Sequence, residues 1–387
     1  MLQGSFNGER LKEARLFNKK TITELSNHLK VSKQMISKYE KNRATPSEES
    51  IEILEKTLNY PREFFFGTDN FSFESNGTFF RSRYTSTQKE KIPTEYNKRY
   101  IAIIRDYLSE FLDFPELNWE LSGKDMSIEE YSQFIRKNWG IGNTPIDNLS
   151  MLLEEKGFVV ARYDNHNTKV DAFSGTVKVN SNEYYVMMLE GTNYSFYRQQ
   201  FSLAHELGHW LLHEESKNPQ DMESIDYRKM EDEANEFAAS FLLPAQEFEN
   251  SVGTNALNLE HYRYLKRIWN VSIAMMIMRA KSLNLISSKE YTNLQRQLNY
   301  RKWRKNEPLD STKLISDPIA LKQGVELLVE NHIVYDIQND IFRKYGILLS
   351  NSMIENLLNL EKDYLNVEYY SEPNIISLNT ERRKRTV

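Results

Sequence analysis

The sequence predicts a multidomain, mainly α-helical protein with one α+β domain in its middle. Three observations favour this class. The chain has 387 residues, whereas one domain usually contains roughly 150, so we expect three domains. Apolar residues recur at helical spacing near both ends of the chain. Between them, a strand-like apolar segment comes just before a helical stretch that is rich in histidine.

The composition is that of a globular protein without disulfides. Hydrophobic residues make up 40% of the chain and charged residues 27%, which is enough apolar material to fill cores. Because the chain contains no cysteine, disulfides and cysteine-bound metals are excluded, and a metal would need His, Asp or Glu. No segment has the apolar core of a signal peptide or the ~20 apolar residues of a membrane span. We therefore expect a cytoplasmic protein that does not bind membranes.

Positive charge is concentrated in residues 1–43, although the whole chain has a net charge of −5. This segment contains ten lysines and arginines against four glutamates, an excess of six positive charges. Such an asymmetry indicates an anionic partner for the N-terminal part alone.

Residues 7–60 have the pattern of four or five short helices. The turn KVS at 30–32 precedes a helix that Ser32 caps, with Ile36 and Tyr39 on its inner face. A short helix, a tight turn and a second helix with a polar face form the helix-turn-helix arrangement. In that arrangement the second helix enters the major groove of DNA.

Five positions of this segment are predicted to contact DNA. Gln pairs bidentately with adenine, whereas Lys and Arg suit phosphates or guanine. The predicted residues are Lys33, Gln34, Ser37, Lys38 and Arg43. Segment 32–40, Ser-x-x-x-Ile-Ser-x-Tyr-Glu, resembles the Xre/Cro phage-repressor type of helix-turn-helix, and the resemblance covers nearly all of residues 7–66. It implies double-stranded DNA as the partner; a small helical bundle that binds protein is the alternative.

A linker and a connecting helix are predicted after this domain. Turn residues such as Gly67 and Gly77 stand between aromatic patches, so we expect the first domain to end near residue 66. Residues 96–112 have apolar positions at helical spacing and predict the connecting helix. The basic residues of this region either extend a DNA-facing surface or lie on a solvated face, and the sequence does not decide. They are Arg81, Arg83, Lys89, Lys91, Lys98, Arg99 and Arg105.

Residues 201–215, FSLAHELGHWLLHEE, contain an HExxH pattern. A helix advances 1.5 Å and 100° per residue, so His205 and His209 lie about 6 Å apart on one face and can bind one ion. Glu206 stands beside His205, where a general base for a metal-bound water belongs. His213 lies about 12 Å from His205 along the axis, so a straight helix cannot bring all three histidines to one ion. A third ligand must come from elsewhere.

A second helix, predicted at residues 227–244, supplies that ligand. Glu231 is one candidate to complete a His₂Glu site for Zn²⁺, with Asn235, one turn later, supporting a ligand histidine. Glu233 competes with Glu231, but it points roughly 200° around the helix, so only one of the two can serve. A metal-free buried polar cluster is the alternative interpretation.

Residues 127–250 resemble the ImmA/IrrE family of zinc metallopeptidases. The resemblance rests on YRQQFSLAHELGHWLLHEE followed by MEDEANEFAASFLLP, with GIGNTPIDNLSMLLEEKGFVVARYD and DAFSGTV upstream. It implies a small thermolysin-type zincin fold, in which His205, His209 and Glu231 bind zinc. It also implies that Glu206 is the catalytic base. The fusion of an Xre-type domain ahead of the peptidase resembles a subgroup of the same family.

One strand is predicted to bind the substrate. Residues 182–189, NEYYVMML, come just before the motif helix and suit a sheet edge. A peptide binds such an edge by strand addition, in which backbone hydrogen bonds give affinity with little sequence preference. Proline at Val186 is expected to prevent that binding.

The C-terminal third is predicted to be helical. Residues 251–308 have Trp269, Ile273 and Ile277 on an inner face, and we expect this region to pack against the peptidase rather than bind DNA. Residues 309–387 continue as helices and end in a basic tail. For this last region the sequence does not choose among a ligand sensor, a dimerisation surface and a clamp over the active site.

Together these predictions describe a DNA-binding regulatory zinc endopeptidase. The resemblance implies cleavage of a transcriptional repressor or another regulatory protein, as in mobile-element induction or stress responses. The alternative is a DNA-binding transcriptional regulator whose peptidase-like module senses a metal or a partner without cutting. Glu206 favours catalysis, because a sensor needs only the metal ligands. A homodimer is left open. The expected division of the chain is 1–66 (helix-turn-helix), 67–126 (linker and connecting helix), 127–250 (peptidase), 251–308 (helical extension packed on the peptidase) and 309–387 (C-terminal helices with a basic tail).

Overall fold

The computed structural model describes residues 4–80, 88–122, 124–163, 172–191, 195–213 and 222–366. These residues form sixteen α-helices and one four-stranded mixed sheet. The predicted class, mainly helical with an α+β domain in the middle, is confirmed. None of the described helices is long and apolar enough to cross a membrane. The predicted basic tail at 379–387 lies outside the described residues.

The N-terminal domain consists of four short helices around one core. They are α1 (Gly8–Phe17), α2 (Ile22–Leu29), α3 (Lys33–Glu40) and α4 (Glu48–Leu58), followed by a 3-10 turn at Arg62–Phe66. Each helix is preceded by a residue whose side chain accepts a hydrogen bond from a backbone N–H group of the first turn. This bond satisfies one of the donors that a helix N-terminus leaves unpaired. These caps are Asn7, Thr21, Ser32 and Ser47. Ser32 is the cap that the sequence predicted.

A strand and a long helix follow this domain. Strand β1 is Phe73–Phe80, and helix α5 is Gln88–Leu108. The sequence predicted α5 only from residue 96 and did not predict β1. The turn residues Asn76 and Gly77 interrupt the local strand pattern, and β1 owes its pairing to a partner strand about a hundred residues later.

The described basic side chains of the linker region do not extend a DNA-facing surface. Lys98 is fully buried on α5. Arg99 forms an ion pair with Asp69, 2.5 Å between Nη2 and Oδ2. Arg105 lies over the ring of Phe114, 3.9 Å from its centroid. Arg81 and Arg83 lie outside the described part of the chain, and so do the side chains of Lys89 and Lys91.

Three further strands pair in the sheet with β1: β2 (Val159–Tyr163), β3 (Ala172–Val179) and β4 (Asn182–Glu190). The strand order is β1-β3-β4-β2. Strand β3 pairs antiparallel with both β1 and β4, and β4 pairs parallel with β2. The prediction that the 182–189 strand forms a sheet edge is therefore wrong. Its buried run from Tyr185 onward is the continuous apolar pattern of an internal strand.

Helices cover both faces of the sheet. One face carries α6 (Ile128–Asn138), α7 (Leu149–Glu155), α8 (Phe196–His213) and α9 (Ser224–Leu242). The other face carries α5 with the C-terminal helices α14 (Ala320–Glu330), α15 (Ile337–Tyr345) and α16 (Asn351–Leu358). The side chains of β3 alternate between these two faces. Phe173 and Val177 pack on the α5 side, whereas Ala172 and Ser174 face α8.

Four further helices extend the core around α8 and α9. They are α10 (Ala245–Val252), α11 (Leu259–Trp269), α12 (Ile273–Ser282) and α13 (Ser288–Tyr300). The predicted inner-face residues Trp269, Ile273 and Ile277 are buried in the same core as α8. A buried ion pair, Lys266 Nζ to Glu307 Oε2 at 2.8 Å, connects this region to the segment that follows α13.

The N-terminal domain is packed against the rest of the molecule. Its apolar residues share one core with α5, one face of the sheet and the C-terminal helices. The hydroxyl of Tyr100 on α5 donates to Glu13 Oε1 on α1 at 2.6 Å. The described C-terminal helices lie on the sheet face opposite α8, so they do not clamp the side that carries the histidines.

Candidate metal centre and DNA-binding surface

Helices α8 and α9 bring the two parts of the predicted metal site together. Their backbones approach closely because Gly208 has no side chain: a Cβ atom there would lie 3.2 Å from the Cα atom of Ala234. This close packing places His205 and His209 of α8 opposite Glu231 of α9.

The donor atoms of these three residues form a triangle of metal-site dimensions. His205 Nε2 and His209 Nε2 are 3.0 Å apart; the first lies 3.5 Å from Oε2 of Glu231 and the second 3.5 Å from Oε1. In tetrahedral zinc, bonds of about 2.0–2.1 Å separate neighbouring ligand atoms by about 3.3 Å. Both histidines are fully buried, and the Glu231 side chain is 15% exposed. The donor set therefore fits a zinc ion that is reached from one side.

The surroundings favour the protonation states that bind zinc. Burial, together with the neighbouring His205, lowers the pKa of His209 to about 4. Burial alone would raise the pKa of Glu231, but hydrogen bonds with the two histidines outweigh it and lower that pKa below its usual value. A neutral imidazole and an ionised carboxylate at pH 7 are the forms that bind a metal.

Asn235 orients the ring of His205. Asn235 Oδ1 lies 3.1 Å from His205 Nδ1, so the Nδ1–H group donates to the amide oxygen. The lone pair then remains on Nε2, the nitrogen that faces His209 and Glu231. This is the supporting position that the sequence predicted for Asn235.

Glu233 and His213 form a separate pair at the end of α8. His213 Nε2 lies 3.0 Å from Glu233 Oε2. Burial lowers the pKa of His213 to about 4 in spite of this hydrogen bond. Neither side chain belongs to the triangle, and of the two competing carboxylates it is Glu231 that the structure places against His205 and His209.

Glu206 follows His205 on α8 and is fully buried, and its carboxylate contacts a strand. Ser174 Oγ of β3 donates to Glu206 Oε2 at 2.5 Å and lies 2.9 Å from the hydroxyl of Tyr185 on β4. Sequence reasoning missed both contacts. Ser174 is a small polar residue in an apolar strand, a signal too common to distinguish a site.

The predicted DNA-binding residues lie on an accessible face of the N-terminal domain. Ile36 and Tyr39 of α3 point into the core, which turns the polar side of this helix outward. Four of the five predicted residues are exposed, and the fifth, Ser37, is half-buried. The exposed ones are Lys33, Gln34, Lys38 and Arg43.

Two arginines of the basic N-terminal segment are structural. Arg15 Nε lies 2.5 Å from Glu40 Oε1, with both side chains buried. Arg10 is buried against Glu13. Because each of these arginines is neutralised by a glutamate of the same segment, the excess of six positive charges is unchanged. It is carried by the other residues of the segment.

The fold and the two sites define a DNA-binding regulator with a peptidase-like module. Family comparisons agree: residues 153–281 match the IrrE N-terminal-like domain, a peptidase family, and residues 11–65 match the helix-turn-helix family. Both resemblances found in the sequence are confirmed. The first match contains the triangle and Glu206, and the second contains the five predicted DNA-binding residues. No curated protein matches the chain.

Proposed function

We propose that this protein is a regulatory zinc endopeptidase that binds DNA and cleaves a transcriptional repressor or another regulatory protein. One observation carries the proposal: two buried histidines and a glutamate converge, with the closest donor atoms 3.0–3.5 Å apart, and Glu206, the residue after His205 on the same helix, is also fully buried. A cluster that only stabilises the fold would not need a buried Glu206 in addition to these three residues.

His205, His209 and Glu231 would hold the zinc ion. Bound there, zinc would act as a Lewis acid that makes a water molecule more acidic and polarises a peptide carbonyl. Glu206 accepts a proton from the attacking water and returns it to the leaving amine. Ser174 fixes one carboxylate oxygen of Glu206, which limits the directions in which this base can turn.

The second candidate is a regulator whose peptidase-like module senses a metal or a partner without cutting. The shared core between the N-terminal domain, α5 and the sheet favours communication between the two modules. Communication of this kind serves both candidates, whereas the buried Glu206 serves only the peptidase.

Transcript levels in three strains separate the two candidates. The strains carry wild type, Glu206→Gln or His209→Ala. If cleavage is the function, both variants lose the regulation that wild type exerts, because each lacks one part of the catalytic site. A sensor predicts the opposite for Glu206→Gln, which would regulate like wild type while His209→Ala fails.

Replacing Lys33 and Gln34 together by alanine is expected to weaken specific DNA binding by about tenfold or more, since a bidentate base contact is worth ~1–3 kcal/mol. Binding is measured by fluorescence anisotropy on a duplex that wild type enriches from a random-sequence pool. Lys56→Ala is the control, because Lys56 is an exposed lysine on α4. Equal losses in both proteins would show that α3 does not read the bases.

A further inference from the structure

Strand β1 occupies the sheet edge that lies beside Glu206. Strand β3 touches the catalytic site through Ser174 and has two neighbours, β4 on one side and β1 on the other. The other end of the sheet is β2, which is two strands away from β3. Among the described residues, the only strand edge next to Glu206 is therefore the edge of β3, and β1 covers it.

The pairing register brings β1 directly alongside the site. Phe79 pairs with Ser174, the residue that contacts Glu206, and Asn76 pairs with Thr176. Between these pairs the register shifts, so two residues of β1 stand opposite Gly175 in a bulge. The β1 backbone at 76–79 thus runs about 4.8 Å, one strand spacing, from the β3 residue that contacts the base.

A peptide that binds by strand addition needs this same edge. Strand addition uses the unpaired N–H and C=O groups of an edge strand. On β3 these groups pair with β1, in the antiparallel direction. A substrate segment and β1 therefore compete for one set of backbone groups.

We propose that β1 is an internal occupant of the substrate-binding edge, and that substrate binds only when β1 leaves. This inference deepens the proposed function and rests on it. It defines the substrate class as a polypeptide with an extended segment of several residues that can pair antiparallel with β3. A fully folded surface cannot enter this position.

The attachment of β1 links its release to the N-terminal domain. Asp69, four residues before β1, contacts both Arg10 of α1 and Arg99 of α5. Within the strand, Ser75 Oγ lies 3.3 Å from Glu95 Oε2. Strand β1 has one neighbouring strand, and its ladder is interrupted by a bulge. A shift of the DNA-binding domain would act on it through Asp69.

Two double variants change the stability of the pairing between β1 and β3, one increasing it and the other decreasing it. The chain has no cysteine, so Glu74→Cys with Lys178→Cys creates a single disulfide. These positions are directly opposite in the ladder, a separation of ~4.5–5.5 Å that a disulfide can bridge. Glu74→Pro with Ser75→Pro weakens the ladder, because one of two consecutive N–H groups faces β3. Glu74→Ala with Ser75→Ala is its matched control.

The readout is binding of a fluorescent peptide with the β1 sequence, SFESNGTFFR, measured by anisotropy. Every protein also carries Glu206→Gln, so the peptide is not cut. We expect the proline variant to bind the peptide at least about tenfold more tightly than the oxidised disulfide variant, since the internal strand competes at an effective concentration of ~mM. Reduction of the disulfide should restore the binding seen with the alanine control. Equal binding by the proline and oxidised forms, or no binding by any form, overturns the proposal.

This experiment separates the inference from the proposed function. Peptide binding in the Glu206→Gln background does not depend on catalysis. Suppose that the proline variant binds the peptide more tightly than the oxidised disulfide variant, while wild type cuts no protein. The peptidase proposal then fails and the strand proposal holds. If the disulfide variant with Glu206 intact cuts a protein equally fast when oxidised and reduced, the strand proposal alone fails.

Discussion

Alanine at His205, His209 or Glu231 is expected to reduce the zinc content of the purified protein from about one ion per chain to none. Each side chain supplies one donor atom to a cluster in which the donor atoms all lie within 4.8 Å of one another, and two donors hold zinc far more weakly than three. Zinc is measured by mass spectrometry of the metal after gel filtration, with circular dichroism to confirm that each variant is folded.

Glu233→Ala is the matched control for Glu231→Ala. The two glutamates are two residues apart on α9, but Glu233 pairs with His213 and its side chain is 34% exposed. The Glu233 variant should keep its zinc. If it loses the metal and Glu231→Ala does not, the third ligand has been assigned to the wrong carboxylate.

Lys266→Ala is expected to lower the free energy of unfolding by about 3–5 kcal/mol, the usual cost of removing one partner from a buried ion pair. Lys266 is fully buried on α11, 2.8 Å from Glu307 and 2.6 Å from Asp310. Its removal leaves two carboxylates close together without a cation. Its Nζ atom also lies 4.2 Å from the ring centroid of Tyr197 on α8, so the loss reaches the helix that carries the histidines.

Arg301→Ala provides the comparison for Lys266→Ala. Arg301 also forms an ion pair, 2.7 Å from Glu260, but its side chain is 38% exposed and that of Glu260 is 53% exposed. Exposed pairs contribute about 0–1 kcal/mol, so urea unfolding should shift little. Similar shifts in both variants would mean that the Lys266 cluster does not fix the helical extension to the peptidase core.

The cluster of His205, His209 and Glu231 was predictable from the sequence because the two histidines follow helical spacing. His205 and His209 share one helix face by arithmetic alone, and the rotation per residue shows that only one of Glu231 and Glu233 can join them. The choice of Glu231 came from the resemblance to the ImmA/IrrE family. The contact between Ser174 and Glu206 could not be predicted, because it depends on how a strand lies across a helix. No local pattern records that relation.

The sheet was predicted less well than the helices. The local pattern is misleading at two places. Asn76 and Gly77 interrupt the strand pattern of β1, and the mixed apolar and polar content of β4 suits an edge strand although β4 is internal. Strand order is a long-range property, because β1 and β3 are separated by a long helix and several loops. The C-terminal helices illustrate the same limit, since their helical pattern was readable but their position behind the sheet was not.

The central claim, that this chain cuts a regulatory protein with Glu206 as the base, is tested most directly by comparing newly created protein N-termini in host cells. One strain carries wild type and the other Glu206→Gln, with zinc measured on both purified proteins. We expect equal zinc content and at least one cleavage site that appears only with wild type, since loss of a general base slows catalysis by about 10²–10⁴. Identical sets of N-termini, both with and without DNA damage, from proteins that both contain zinc would contradict the claim.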